Sequence, residues 1–296
     1  MIIGHQRIIS SLERIIERRS FSQAYLFSGP EQTGKFTLAR EFARAIVADR
    51  KINSLTDGDR RSADLDITVI VPEAVEKSGI IKEKSIGVKK VIEAQQKIRL
   101  FPHQGKYRVL IIDRSEKMTE EAQNSLLKFL EEPNDTALVM LVSNERARIL
   151  PTVRSRLQRI NFQPVPEVEM ECSVKHDSDQ HWISAVRLAM GRPGLAVELA
   201  GDSERRTYLG ELDRFLSGLE KASISERLKM AEKIAKDIRK AAEALERWSW
   251  IERQRIKERQ TYSDFIRLEL IQDGLSAINH TNTNARMILE NLWINF

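Results

Sequence analysis

The chain has one cysteine, Cys172, in 296 residues. That excludes an internal disulfide framework and a cysteine-based zinc site, and it fits a reducing cytoplasm. Its five histidines are scattered, without metal-ligand spacing. No apolar run approaches the roughly 18 residues of a membrane-spanning helix. The opening Met1-Ile-Ile-Gly-His-Gln-Arg7 does not read as a signal peptide, so a soluble cytoplasmic protein without membrane contact is expected. Charge of one sign is scarce as well: 48 Lys+Arg stand against 43 Asp+Glu, a net +5. So small an excess reflects a highly charged helical surface and does not imply tight direct DNA binding. The length is enough for two or three domains and a buried core.

What is present begins with Gly29-Pro-Glu-Gln-Thr-Gly34-Lys35. This is the frame of a phosphate-binding loop, in which glycines turn backbone N–H groups toward a polyphosphate. The helix that follows adds its positive end, and the lysine reaches the outer phosphates. A hydroxyl should follow the lysine to hold Mg2+. Phe36 stands there instead, and it cannot ligate a hard cation. Thr37 is about 100° further around the helix, a poor substitute.

A second expected part is an acid at the end of an apolar strand, which holds Mg2+ through water and is followed by a glutamate that activates the attacking water. Asp113 closes Arg108-Val-Leu-Ile-Ile-Asp113 and fills the first role. Arg114 takes the second position and cannot act as a base. Glu116 reads as a surface residue. With both parts missing, the site is expected not to hydrolyse ATP. Gly29, Gly34, Lys35, Thr37 and Asp113 are the candidate nucleotide contacts. Lys35 and the loop amides are compatible with weak ATP or ADP binding without Mg2+, and equally with an empty loop.

The first half alternates strands and helices, which argues for a parallel sheet covered on both faces. Strands are expected at 24–28, 67–71, 108–113, 137–142 and near 157–162, and helices over 35–48, 88–98 and 119–131. The helix over 88–98 should bury Val88, Val91, Ile92, Gln95 and Ile98. Thr119 is its successor's N-cap, and Pro133 closes that helix. Gln163-Pro-Val-Pro166 reads as a hinge, followed by a small helical module to about 203 and then helix to the end. Leu228, Ala231, Ile234, Ile238, Ala242 and Leu245 recur at helical spacing along 225–259 and predict an amphipathic helix in a bundle. The tryptophans read as core or interface anchors.

Several segments together resemble the delta-prime subunits of the bacterial DNA polymerase III clamp loader, which are AAA+ proteins. They are Ala24-Tyr-Leu-Phe-Ser-Gly-Pro30 with the degenerate loop, Ile86-Gly-Val88, and Gly105-Lys-Tyr-Arg-Val-Leu-Ile-Ile-Asp113. Ala122-Gln-Asn-Ser-Leu-Leu-Lys-Phe-Leu-Glu-Glu-Pro133, Arg154-Ser-Arg156 and Asn284-Ala-Arg-Met-Ile-Leu-Glu-Asn-Leu292 complete the set. The resemblance implies an α/β AAA+ core with a parallel sheet over residues 1–163, a small helical lid over 164–203, and an all-α collar over 204–296. It also implies a ring of five with gamma/tau motor and delta subunits, acting on the sliding clamp and primed DNA at replication forks in the nucleoid. By themselves Arg154 and Arg156 read as surface arginines. The resemblance implies that Arg156 serves as a catalytic arginine finger, presented in trans to ATP on a neighbouring motor subunit.

Leu157 stands where the family's Ser-Arg-Cys motif has cysteine. The ATP-sensing arginine of motor subunits falls near Gly194, with Arg192 out of register. The stretch 48–64 lacks the four cysteines that many relatives carry, so no zinc and no required cofactor are expected. The alternative is an ATP-hydrolysing motor subunit of the same assembly, against which Phe36, Arg114 and Gly194 all speak. A stand-alone DNA-binding regulator would need a DNA-reading element, and none is identifiable.

Overall fold

The computed structural model describes residues 2–77, 80–103, 105–132, 134–173, 180–259, 261–280 and 283–295. The chain divides into two compact units, Met1–Asp177 with Gly191–Leu195, and Ser178–Met190 with Ala196–Phe296.

Unit 1 runs α1 (Gln6–Arg18), β1 (Ala24–Ser28), α2 (Lys35–Ala48), α3 (Asp57–Ala63), β2 (Ile67–Ile70), a hairpin of β3 (Ala74–Lys77) and β4 (Ile80–Glu83), then α4 (Val88–Ile98) and β5 (Arg108–Ile112). It continues with α5 (Glu120–Glu131), β6 (Ala137–Ser143), α6 (Pro151–Arg154), β7 (Gln158–Asn161) and α7 (Glu167–Cys172). Five strands form a parallel sheet in the order β2-β5-β6-β1-β7. β1, β5 and β6 are buried along their whole length, as nearly continuous apolar strands in a parallel sheet should be.

Alternation splits the side chains of these strands between two cores. Tyr25, Phe27, Val109, Ile111, Met140 and Val142 pack with α1 and α2. Leu26, Leu110, Ile112, Val139 and Leu141 pack with α4, α5 and α6. Each such burial contributes about 1.5–3 kcal/mol, so the sheet is a rigid platform for the loops at its carboxyl edge.

Helix α5 starts as the sequence predicts, with Thr119 Oγ1 accepting the Ala122 N–H at 3.2 Å. Its closing Pro133 lies outside the described residues. On α4 the buried stripe is Val91, Ala94, Gln95 and Ile98, whereas Ile92 is 42% exposed, contrary to the expected face. Positions i, i+3, i+4 and i+7 line one face, and Ile92 lies one step around from it.

Unit 2 contains α8 (Gln180–Leu188), most of α9 (Pro193–Gly201), α10 (Ser203–Ser217), α11 (Ile224–Ala235), α12 (Ile238–Arg259), α13 (Tyr262–His280) and α14 (Ala285–Ile294). The apolar pattern over 225–259 therefore forms two helices. Asp237 ends the run by accepting the Arg239 N–H at 2.9 Å, a cap that starts α12 afresh. The break moves the buried face of α12 to Ala241, Ala244, Leu245 and Trp248, and Ile238 is 50% exposed. Trp182, Trp248 and Trp293 are buried in this unit, as core tryptophans.

Candidate functional site

The carboxyl ends of β1, β5 and β6 lie side by side, with β6 in the middle. This places the loop 29–35 after β1 beside Asp113 and Arg114 after β5, and beside Ser143 and Asn144 after β6. The loop's glycines have different reasons to be glycine. A side chain on Gly29, at φ +154°, would put its Cβ 2.4 Å from the carbonyl oxygen of Phe162, so the passage of the chain after β7 demands glycine whether or not phosphate binds. Gly34 has φ +86° and open space where a Cβ would be. Its constraint is backbone conformation alone, and its outer side is accessible.

Three contacts hold the loop in place. His5 Nε2 lies 2.8 Å from the Thr33 carbonyl oxygen and bonds to it. The Gly194 N–H donates to the Gln32 carbonyl at 2.8 Å. Thr33 Oγ1 donates to the Pro30 carbonyl at 2.8 Å. Gly194 thus sits where the motor arginine was expected, and it is used for contact. A Cβ there would lie 3.0 Å from the Gln32 oxygen, so any larger residue presses on the loop. Neither this contact nor the role of His5 was legible in the sequence, because both depend on segments far apart in the chain.

Lys35 is 4% exposed and donates to the Pro30 carbonyl. Burial lowers its pKa to about 8, Glu116, Glu31 and Asp113 oppose that shift, and Arg192 adds to it. Asp113 is half-buried, and burial raises its pKa against the N–H of Arg114, which donates to Oδ1 at 2.9 Å. Phe36 packs against the α1–α2 core, and Thr37 is exposed. No protein acceptor among the described residues receives the N–H groups of Gly34, Lys35 or Phe36.

Arg114 adopts a left-handed conformation, φ 47°. Its Nη2 lies 3.0 Å from Glu31 Oε1 in the loop, and Nη1 pairs with Glu83. Glu116 corrects the sequence reading. It is 7% exposed, accepts the Asn144 N–H at 3.2 Å, and lies close enough to Lys35 to raise its pKa. The short 3-10 turn at Ser115–Lys117 brings it to the Asn144 N–H after β6, which residue spacing alone did not reveal.

A phosphate-binding loop after a strand and before a helix implies a nucleotide with Mg2+. The phosphate contacts fit that group, since Lys35, the free amides and the open side of Gly34 converge. The metal contacts do not fit, because the position of the Mg2+ hydroxyl is filled by a ring facing the core and the position of the water-activating carboxylate by a guanidinium. Among the described residues no group of three or more His, Cys, Asp or Glu could hold a metal ion.

Arg156 lies outside this cluster, just past α6 and before the edge strand β7. Its Nη1 donates to the Thr152 carbonyl at 2.9 Å, and its Nη2 lies 2.7 Å from Glu131 Oε1 at the end of α5. Its side chain is 38% exposed.

The family described as DNA polymerase III, delta subunit, matches residues 4–166, more than half of the chain. The chain belongs to that family. The delta-prime resemblance in its sequence agrees with named relatives. The DNA polymerase III subunit delta' of Bacillus subtilis is 29% identical over 209 residues, covering 67% of this chain and 60% of that protein. The DNA polymerase III subunit gamma/tau of Mycobacterium tuberculosis is 26% identical over 217 residues, covering 73% of this chain. The match spans only 37% of the length of that relative. A solved structure, a DNA polymerase III gamma subunit-related protein from Thermotoga maritima, covers 97% of both chains at 18% identity and TM-score 0.52, a likeness of fold alone. No helix among the described residues is long and apolar enough to cross a membrane.

The His5 contact carries a pH prediction for the fold. Burial holds its pKa below the ordinary 6.5, so the folded protein favours the neutral ring. Below pH 6.5 the unfolded chain takes up a proton that the folded one resists, and stability falls as pH falls. Urea midpoints are expected to drop between pH 7 and pH 5.5, with a shallower drop in His5→Gln. Parallel pH profiles for the two proteins would overturn this.

Proposed function

We propose that this chain is a non-hydrolysing subunit of the DNA polymerase III clamp loader that lends Arg156 to ATP bound by a neighbouring motor subunit. It braces a five-membered ring with gamma/tau and delta subunits, which loads the sliding clamp onto primed DNA in the cytoplasm, at the nucleoid. The division into a core (1–163), a lid (164–203) and a collar (204–296) belongs to the same reading, as does the absence of a zinc module and of any required cofactor.

The observation that carries it is the contrast between the chain's own loop and Arg156. At the loop, Phe36 faces the core and Arg114 is paired with Glu31, so the two groups that hold metal and activate water are replaced. Arg156 is exposed at the edge of the sheet and held by an exposed ion pair and local hydrogen bonds, which cost little to exchange. A planar guanidinium presented in this way suits a transferring phosphoryl group supplied by a neighbour.

The gamma/tau relatives favour a second reading, an ATP-hydrolysing subunit of the same assembly that uses Lys35 and Asp113 with Thr37 and Glu116 as substitutes. The exposure of Thr37 and the engagement of Glu116 with Asn144 count against it. Steady-state ATP hydrolysis by the purified chain, alone and then with its motor and delta partners on primed DNA with clamp, separates the two. No turnover alone and full turnover only with this chain added is the expected result. Turnover by the isolated chain would make it an enzyme. Lys35→Ala should leave hydrolysis by the assembly within about twofold, since Lys35 bonds within its own loop and touches no transition state at the neighbour's site. A collapse of that rate would identify this loop as a working ATP site.

A further inference from the structure

The loop keeps the phosphate part of an ATP site and has exchanged the metal part for a different charge. Gly34, Lys35 and Phe36 offer N–H groups with no protein acceptor among the described residues, and the space beside Gly34 is open. Lys35, with a pKa of about 8, is charged at neutral pH, and Arg192 lies near enough to depress it further. Arg114 stands at the foot of β5, where a catalytic carboxylate would be, and turns its guanidinium onto Glu31 in the middle of the loop at 3.0 Å. The field of the same Glu31 reaches Lys35. One loop carboxylate, Glu31, therefore acts on both Lys35 and Arg114.

A carboxylate held by an arginine fork resembles, in charge and in geometry, a phosphate oxygen pair held by the same fork. Glu31 is accordingly an internal stand-in for the anion that this loop is shaped to hold. A metal would find no hydroxyl ligand at Phe36 and a fixed cation at Arg114. A metal-free diphosphate would find the amides, Lys35 and Arg114, and would displace Glu31 from Arg114 and the Pro30 carbonyl from Lys35.

We propose that the loop 29–35 is a metal-independent binding site for a diphosphate group, as in ADP or pyrophosphate, with Arg114 supplying the charge that Mg2+ supplies elsewhere and Glu31 competing for the same place. The inference deepens the reading of this loop as non-hydrolytic and owes nothing to Arg156. Glu31 and Arg114 are partly exposed, with side chains 53% and 36% accessible, so exchanging one partner for another does not disturb the core.

The test is equilibrium binding of ADP and of pyrophosphate to the full chain, once with excess EDTA and once with Mg2+. Affinity should be at least as high in EDTA. Arg114→Ala should weaken it about ten- to hundredfold, the loss of a charge-assisted contact, and Glu31→Ala should strengthen it by about tenfold. Binding seen only in Glu31→Ala also supports the site, with the native carboxylate as the stronger competitor. Binding that requires Mg2+, an affinity indifferent to both substitutions, or no binding by either protein at millimolar ligand would overturn the proposal. Arg156→Ala should leave these affinities unchanged, so failure here and failure of the arginine-finger reading are separately visible.

Discussion

Arg156→Ala should reduce ATP hydrolysis by the reconstituted clamp loader by about three to five orders of magnitude, the range that arginine fingers command, while the assembly itself persists. Arg156 does little in its own chain. It closes no core; it makes an exposed ion pair to Glu131 and donates to the Thr152 carbonyl and, at 3.4 Å, to Ser155 Oγ. Such a pair is worth at most about 1 kcal/mol, so its loss should leave folding and ring formation intact. Glu131 and Thr152 orient the guanidinium at the sheet edge without burying it. A charge kept ready but not used internally is what a neighbour's developing phosphoryl charge requires. Arg156→Lys is the informative companion, because it keeps the charge and loses the planar fork. It should recover only a small part of the rate. The check is ATP turnover on primed DNA with clamp, alongside gel filtration of the assembly. Turnover unchanged in Arg156→Ala would sink the proposed role.

Arg247→Ala should destabilise unit 2 by about 3 kcal/mol, because it strands a carboxylate that now has a bidentate partner. The Arg247 side chain on α12 is 1% exposed. Its Nε and Nη2 lie 2.6 and 2.7 Å from the two oxygens of Asp213 on α10, and Nη2 also donates to the Leu188 carbonyl at the end of α8 at 2.9 Å. One guanidinium therefore ties three helices together. All four tryptophans of the chain lie in this unit, so their fluorescence reports its unfolding separately from that of unit 1. The transition should move down by roughly 10 °C in Arg247→Ala. Most of that loss should return in Arg247→Met with Asp213→Leu, since replacing both members of a buried pair by apolar groups is often neutral. A midpoint within about 2 °C of the parent protein for Arg247→Ala would show the network to be dispensable.

The sequence by itself determined the alternating elements of unit 1, because buried parallel strands must be apolar along their whole length and the helices that cover them must repeat every three to four residues. It determined the Thr119 cap, the tryptophan core, and the substitution of Phe36 and Arg114 for metal-binding and water-activating groups, since these depend only on which residue occupies a fixed place after a strand. It also carried the clamp-loader resemblance through Leu126-Leu-Lys-Phe-Leu-Glu-Glu132 and Arg154-Ser-Arg156.

The tertiary structure alone decided how the substituted groups are used. That Arg114 closes on Glu31, that Glu116 is buried beneath Asn144, that Gly194 and His5 hold the loop, and that Arg247 joins three helices all depend on residues distant in sequence. The break at Asp237 escaped the sequence reading for a related reason: the apolar period of 225–259 runs through it, and a single side-chain cap ended one helix and restarted the next. Periodicity reports which faces are apolar, whereas the pairing of charges follows from which loops the sheet brings to one edge.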